Sequence, residues 1–203
     1  MNIGIIDYGL SNLLSISRAV EKINGSVSII NNPEELALVD KVILPGVGAF
    51  PQGMTQLLNS GMAESLVSFA NQGKPLLGIC LGMQLLLSQS EEISPTNGLN
   101  LIQGHCISLP SKSAHGGSNI IPHVGWETIH INGNYEKLNG QYMYFVHSFY
   151  AQPSSAQHIL CTTPFGELQF ASGIQKDNIT GFQFHPEKSG DKGLELLSIF
   201  LNN

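Results

Sequence analysis

Through the first ninety residues, short apolar runs alternate with longer amphipathic stretches. Residues 2–7 form an apolar run that ends in an acid, Asp7, and predict a buried strand. Residues 12–23 place Leu13, Leu14, Ile16, Ala19, Val20 and Ile23 on one broad face. This is a helix, with Ser11 as its cap and Gly25 as its stop. A strand at 26–30 follows, and Pro33 opens a short helix through 38. Residues 41–44 are another strand, closed by Pro45-Gly46-Val47-Gly48. The helical stretch to 71 breaks at Ser60-Gly61, and 75–79 (strand) leads into 81–87 (helix). This alternation predicts an α/β fold, a mainly parallel sheet with helices on both faces. From about residue 100 the texture changes. Segments 101–109, 125–131, 142–150, 158–162, 167–174 and 180–184 are short, apolar or alternating, and punctuated by Gly, Pro and Asn. They predict hairpins and added antiparallel strands. Residues 111–119 read as a polar loop and 191–201 as a last helix, with Leu194, Leu197, Ile199 and Phe200 partly buried. Repeats, low-complexity tracts and linkers are missing from the pattern, so 1–203 is expected to be one domain.

Composition narrows the function. Charged residues make up only 12%, the net charge is −6, and Arg18 is the single arginine. Without a basic run, nucleic acid and anionic membrane are excluded as partners. So sparse a charge implies an unusually neutral surface or one partly covered by something else. No apolar run reaches transmembrane length, and the start Met1-Asn2-Ile3-Gly4 lacks the basic region of a signal peptide. Cys80, Cys106 and Cys161 are an odd, sparse set without metal-ligand spacing. They are expected to be free thiols in a reducing cytoplasm.

One cysteine stands apart. Gly78-Ile79-Cys80-Leu81-Gly82 sets G-x-C-x-G between a strand and a helix. Glycines on both sides allow the sharp turn that lifts a nucleophile above a sheet edge. Helix-start amides favour a thiolate and help hold an oxyanion. The competing reading is a structural Cys in a glycine-rich turn; Cys106 and Cys161, in strand-like segments, are core or surface thiols. A Cys nucleophile needs a base held by a third group. His105, His115, His123, His130 and His158 lack a suitable acid nearby and read as structural or surface residues, and His147 follows an apolar run. His185, in Gln183-Phe184-His185-Pro186-Glu187, is different. Pro186 biases it to an extended conformation, in which residues two apart share a side, so Glu187 can hold the imidazole. Chance also produces H-x-E pairs; the elbow and the proline give this one its weight.

Pro45-Gly46-Val47-Gly48, Gly78 to Gln84 and Gln183 to Glu187 together resemble the class I (triad) glutamine amidotransferases. Asp7-Tyr8-Gly9 with Asn12, Pro122 to Trp126, Tyr144 to Ser148 and Gln175 to Asn178 further resemble the glutaminase subunits of imidazole glycerol phosphate synthases. The likeness spans essentially the whole chain. It implies a flavodoxin-like sheet, no cofactor, and hydrolysis of glutamine to glutamate and ammonia through a thioester on Cys80. His185 would shuttle the proton and Glu187 would orient it. The backbone of Val47, Gly48 and Leu81 would bind the oxyanion, after a peptide reorientation that the glycines flanking Val47 make easy. Gln84, with backbone of Gly48, His147 and Ser148, would hold the amino-acid end of the substrate. Taken alone, Gln84 also reads as an exposed helix residue, and Gly46 and Gly48 as an ordinary turn.

Ammonia requires an acceptor, and the motifs occupy residues 45 to 187 with sixteen residues after them. The acceptor site is therefore expected on another chain. The resemblance implies a (β/α)8-barrel cyclase, in histidine biosynthesis, with Asn12, Trp126, Glu127 and Lys176 at or near the interface. Trp126 as a core aromatic is the alternative. One position departs: the family usually has Gly-Trp-Asn, and here Glu127 follows Trp126. That charge at the ammonia exit would alter activation, or mark a paralogue that supplies ammonia for amidination of nucleotide sugars. A stand-alone Cys hydrolase and a non-catalytic scaffold are the other readings. The Trp126 and Tyr144 to Ser148 segments speak against the first, and the intact triad against the second.

Overall fold

The computed structural model describes residues 2–112 and 117–203. Met1 and 113–116, which include His115 and the middle of the polar loop, lie outside the described residues. The first half is β1 (Asn2–Ile6), α1 (Leu13–Lys22), β2 (Ser26–Ile30), a 3₁₀ turn over Pro33–Leu38, β3 (Lys41–Gly46), α2 (Phe50–Asn59), α3 (Met62–Asn71), β4 (Leu76–Cys80) and α4 (Leu81–Leu85). The second half is β5 (Gln89–Ser90), β6 (Thr96–Asn97), β7 (Gly104–Ser108), β8 (His123–Thr128), β9 (His130–Ile131), β10 (Tyr142–His147), β11 (Phe149–Pro153), β12 (Ile159–Phe165), β13 (Leu168–Lys176), β14 (Ile179–Phe182) and α5 (Gly190–Asn202).

Strands β2-β1-β3-β4-β14 lie side by side and parallel, and β13, β11 and β7 extend the sheet antiparallel, as the change in texture predicts. Side-chain alternation splits the core in two. Val42 and Leu44 of β3 pack with α2 and α3, while Ile43 packs on the other face with Ile16, Val20 and Leu197 from α1 and α5. Each such fully buried aliphatic side chain stabilises the fold by about 1.5–3 kcal/mol. Gly61, in the left-handed conformation (φ 69°), separates α2 from α3 at the expected break.

Four expectations are corrected. Asn12, not Ser11, caps α1, its Oδ1 accepting from Ser15 N at 3.4 Å. The apolar run 142–150 is two strands in two sheets. Ser148 breaks it, leaving β10 in a ribbon with β8 and β11 in the main sheet. Within 101–109 only β7 is strand. Helix 81–87 stops at Leu85, and Leu86 and Leu87 instead accept from the turn of 100–102. No helix among the described residues is long and apolar enough to cross a membrane.

Candidate active site

The parallel register brings the motifs together. Gly46, the last residue of β3, pairs with Cys80, the last residue of β4, and Phe182 of β14 pairs with Ile79. Chain running on from β14 therefore delivers Gln183 and His185 to the edge where β3 and β4 end.

Cys80 sits at φ 54°, ψ −113°, between β4 and α4. A non-glycine residue held there stores roughly 1–3 kcal/mol of strain. The flanking glycines are obligatory. A Cβ on Gly82 would lie 1.8 Å from the Leu44 carbonyl oxygen, and one on Gly78 would lie 2.7 Å from the Gly82 oxygen and the Met83 backbone. The elbow thus needs helix and strand backbones in direct contact.

His185 and Glu187 meet by a route other than the expected one. His185 is extended (φ −101°, ψ 95°), but Glu187 belongs to a 3₁₀ turn, Pro186–Lys188, that curls back onto it. Nδ1 of His185 donates to Glu187 Oε1 at 2.8 Å, and both side chains are buried. Backbone bonds fix the imidazole: His185 N donates to Tyr144 O, and the Ser189 hydroxyl donates to His185 O. Burial alone would lower the imidazole pKa. The thiol of Cys80 and the carboxylate of Glu187 outweigh it and raise the value to about 9. Nε2 has no hydrogen-bond partner of ordinary geometry, and the Cys80 thiol beside it raises the value both as a hydrogen-bonding neighbour and through charge. Cys106 and Cys161 are buried and line no part of the cavity over Cys80. Burial pushes both thiols up, Cys161 to about 12, which leaves them inert.

A cavity of about 290 Å³ opens over Cys80. Val47, Gly48, Leu81, Gln84, His147 and Ser148 all line it, together with His185. Their chemistry is more constrained than the motifs suggest. Val47 N–H donates to Leu10 O at 2.8 Å and so points away from the sulfur. Gln84 is buried and its Nε2 is committed to Phe149 O and Gln183 Oε1, both at 3.0 Å, which leaves Oε1 for a ligand. The His147 ring does not serve as a base. Its Nδ1–H donates to Phe149 O, its Nε2 accepts from His123 Nδ1, and burial lowers its pKa to about 3.

Three residues escape sequence reasoning. Glu92 lines the cavity, its carboxylate fixed by Phe50 N at 2.7 Å. It lies in a short polar segment with no periodicity to flag it. Gln183 is fully buried and donates to the Cys80 sulfur. Tyr8 is buried against Gly46 and has no hydrogen-bond partner for its hydroxyl. The last two stood inside recognised motifs, Gln183 beside His185 and Tyr8 in Asp7-Tyr8-Gly9.

The residues expected at an interface separate. Trp126 is 53% exposed and shares one face of the β8–β10 ribbon with Val124, Tyr142, Tyr144 and Val146, beside the cavity mouth. It is not a core aromatic. Asn12 is exposed at the same end of the sheet, where it caps α1. Glu127 pairs with fully buried Met143, so it lies on the opposite face of the ribbon from Trp126, with Oε1 taken by Thr128. The placement of Lys176 is corrected. It pairs with Ile179, which pairs with Leu76 at the start of β4, so it lies at the far end of the sheet from Cys80. β13 runs antiparallel to β14, and that reversal carries its last residue away from the site. The cation beside Trp126 is Lys188, whose Nζ stands 5.9 Å over the Tyr144 ring, itself edge-on to Trp126.

An elbow cysteine, a buried His–Glu pair and a small cavity at the carboxyl edge of a parallel sheet define a thiol amidohydrolase. The chain belongs to the class-I glutamine amidotransferase family, whose model matches residues 4–203. It is 41% identical over 210 residues to imidazole glycerol phosphate synthase subunit HisH 1 of Legionella pneumophila (strain Paris), covering 98% of each chain. It is 45% identical over 199 residues to the HisH subunit of Listeria innocua, covering 97% of this chain and 93% of that protein. Among solved structures it resembles PurLQS from Thermotoga maritima, with a TM-score of 0.75, 18% identity, and coverage of 99% and 97%; this likeness concerns the fold alone.

Proposed function

We infer that the chain is the glutaminase subunit of an imidazole glycerol phosphate synthase, hydrolysing L-glutamine to glutamate and ammonia for histidine biosynthesis. The observation that carries the chemistry is the joining of Cys80, His185 and Glu187 beneath a cavity sized for one amino acid. The Cys80 thiol passes its proton to His185 Nε2 as the sulfur attacks the carboxamide carbon, and the C=O electron pair moves onto oxygen. His185 Nε2 gives its proton to the nitrogen as the C–N bond breaks, releasing ammonia and leaving a thioester. Water attacks the thioester, His185 takes the water's proton, and the thiolate departs with glutamate as product. Glu187 keeps the imidazole oriented and its cation stabilised throughout.

The first-turn amide of Leu81 is not used within α4 and supports the oxyanion. The Val47 amide joins it only after leaving Leu10 O. Glu92 places a carboxylate where the substrate's α-ammonium needs one, and Gln84 Oε1 with the backbone of Gly48, His147 and Ser148 completes that end. The subunit naming of the relatives supports a separate chain as ammonia acceptor. For that chain we favour a (β/α)8-barrel cyclase seated on the aromatic face of the β8–β10 ribbon, with Trp126, Asn12 and Lys188 at the contact. Such a cover also accounts for the low charge of the chain.

The test is labelling by a glutamine-analogue electrophile, followed by peptide mapping. Cys80 should carry the label, and Cys80→Ala should abolish glutamine-dependent synthesis while the partner still uses free ammonia. Labelling confined to other thiols would sink the reading. The isolated chain should turn over glutamine slowly and be accelerated by the barrel subunit.

A further inference from the structure

The Gln183 carboxamide, just beyond the end of β14, is fully buried. Its two recorded side-chain bonds run to other side chains: Nε2 donates to Cys80 Sγ at 3.7 Å, and Oε1 accepts from Gln84 Nε2 at 3.0 Å. Burying a primary amide costs free energy unless it is satisfied, so a position that only filled space would favour an apolar side chain.

Chemistry fixes which way this amide points. The Phe149 carbonyl oxygen can only accept, so the end of Gln84 facing it must be the NH₂ group. That same NH₂ group also faces Gln183, so Gln183 must present its oxygen there. Its own NH₂ group is thereby turned to the sulfur. Phe149 O also accepts from His147 Nδ1, whose Nε2 is held by His123. A continuous chain of bonds thus runs from β8 to the sulfur, and every donor direction along it is determined.

We propose that Gln183 is a positioning residue for the nucleophile, its Nε2–H directing the Cys80 sulfur toward substrate and favouring the thiolate. The proposal rests on the reading of Cys80 as nucleophile. It adds a second support, from β14, on the side of the sulfur away from the substrate cavity, since Gln183 does not line that cavity. The ionisable groups that bear on Cys80 are His185 with Glu187 behind it, Tyr8 from the loop after β1, and Cys106 on β7. Of these only His185 can carry a positive charge beside the sulfur, and Gln183 adds a neutral donor to it.

The experiment measures the rate of Cys80 alkylation by iodoacetamide against pH in the full chain, for the unaltered protein, Gln183→Met and Gln183→Glu. Methionine keeps the length and removes the donor. Glutamate keeps the acceptor for Gln84 and turns an oxygen to the sulfur. In both, the alkylation midpoint should move to higher pH by about one unit, and kcat for glutamine should fall roughly tenfold at neutral pH with little change in KM. An unchanged midpoint with a raised KM would mean that Gln183 acts only by bracing Gln84 against the substrate, and would overturn the proposal. Should both variants fail to fold, the side-chain amide protons of Gln183 in the unaltered protein decide it. They should shift as Cys80 titrates and again on alkylation, and insensitivity to both would overturn it. If the unaltered Cys80 reacts with iodoacetamide but not with a glutamine analogue, the glutaminase reading fails, and the midpoint shift still judges Gln183.

Discussion

The two walls of the cavity are built to different standards. On the nucleophile wall every part is locked. Cys80 is pinned by backbone contacts through Gly78 and Gly82, and His185 is held by Glu187, Tyr144 and Ser189. On the oxyanion wall, Val47 is 42% exposed, Gly48 sits at φ 102°, and the Val47 amide is spent on Leu10 O. The difference teaches where control lies. On the proposed reading, a chain whose nucleophile is assembled beside a Val47 amide turned to Leu10 O would bind glutamine before hydrolysing it quickly. On the reading proposed above, the missing step is a local rotation about Val47, next to the aromatic face assigned to the partner. Ammonia would then be made mainly when an acceptor subunit is present to receive it.

Breaking the locked wall should have the largest effect. Gly82→Ala places a Cβ 1.8 Å from the Leu44 oxygen and 2.8 Å from its carbon, both backbone atoms that cannot swing aside. It should cost at least about 3 kcal/mol, a fall in melting temperature on the order of 6–12 °C, and remove measurable glutaminase activity. Normal melting in this variant would show that the elbow is not held by backbone contact. The next effect sharpens the electrostatics of the same wall. The folded pKa of His185, about 9, lies above its ordinary 6.5 because Cys80 and Glu187 overcome the opposing effect of burial. The stability this contributes is complete below about 6.5 and is lost as pH rises through about 9. Glutamine turnover should show an alkaline limb near the upper value. In Glu187→Gln that limb should move to lower pH and kcat fall by roughly a hundredfold. A pH–rate profile that keeps its alkaline limb in place would refute the role given to Glu187.

The same contrast explains what the sequence reveals. The parallel half is legible because β3 and β4 are buried on both faces and α1, α2 and α3 on one, so periodicity states the element type, while the cap of α1 and the end of the fully buried α4 are set by local bonds. The locked wall is legible because its geometry demands glycines at 78 and 82 and a proline at 186, residues whose effects are local. Residues 142–150 misled because a two-sheet crossing at Ser148 leaves the apolar pattern unbroken. Lys176 misled because its position depends on the direction of β13, which no short motif encodes. Glu92 and Gln183 work through partners 42 and 103 residues away, Phe50 and Cys80, and such pairings appear only once the sheet is assembled. The state of Val47 is of the same kind, since its acceptor is a backbone carbonyl that any residue at position 10 would supply.

The smallest predicted effect isolates the unfinished wall. Gly48 adopts φ 102°, which an L side chain rarely takes, but a Cβ there would meet nothing closer than Gln52 Oε1 at 3.7 Å. In Gly48→Ala the penalty is therefore backbone strain alone, about 1 kcal/mol, and the melting temperature should fall by only roughly 2–4 °C. Strain at that position opposes the turn that carries Val47, while nothing on the Cys80 wall is touched. Iodoacetamide, which needs no oxyanion site, should alkylate Cys80 at the rate of the unaltered protein. Partner-stimulated glutamine turnover should drop by more than the small loss of stability explains. If alkylation and turnover fall in parallel, the two walls are one mechanical unit and the oxyanion strand is not the separate point of control. If turnover alone falls, the rotation next to Gly48 is the step that separates binding glutamine from cleaving it.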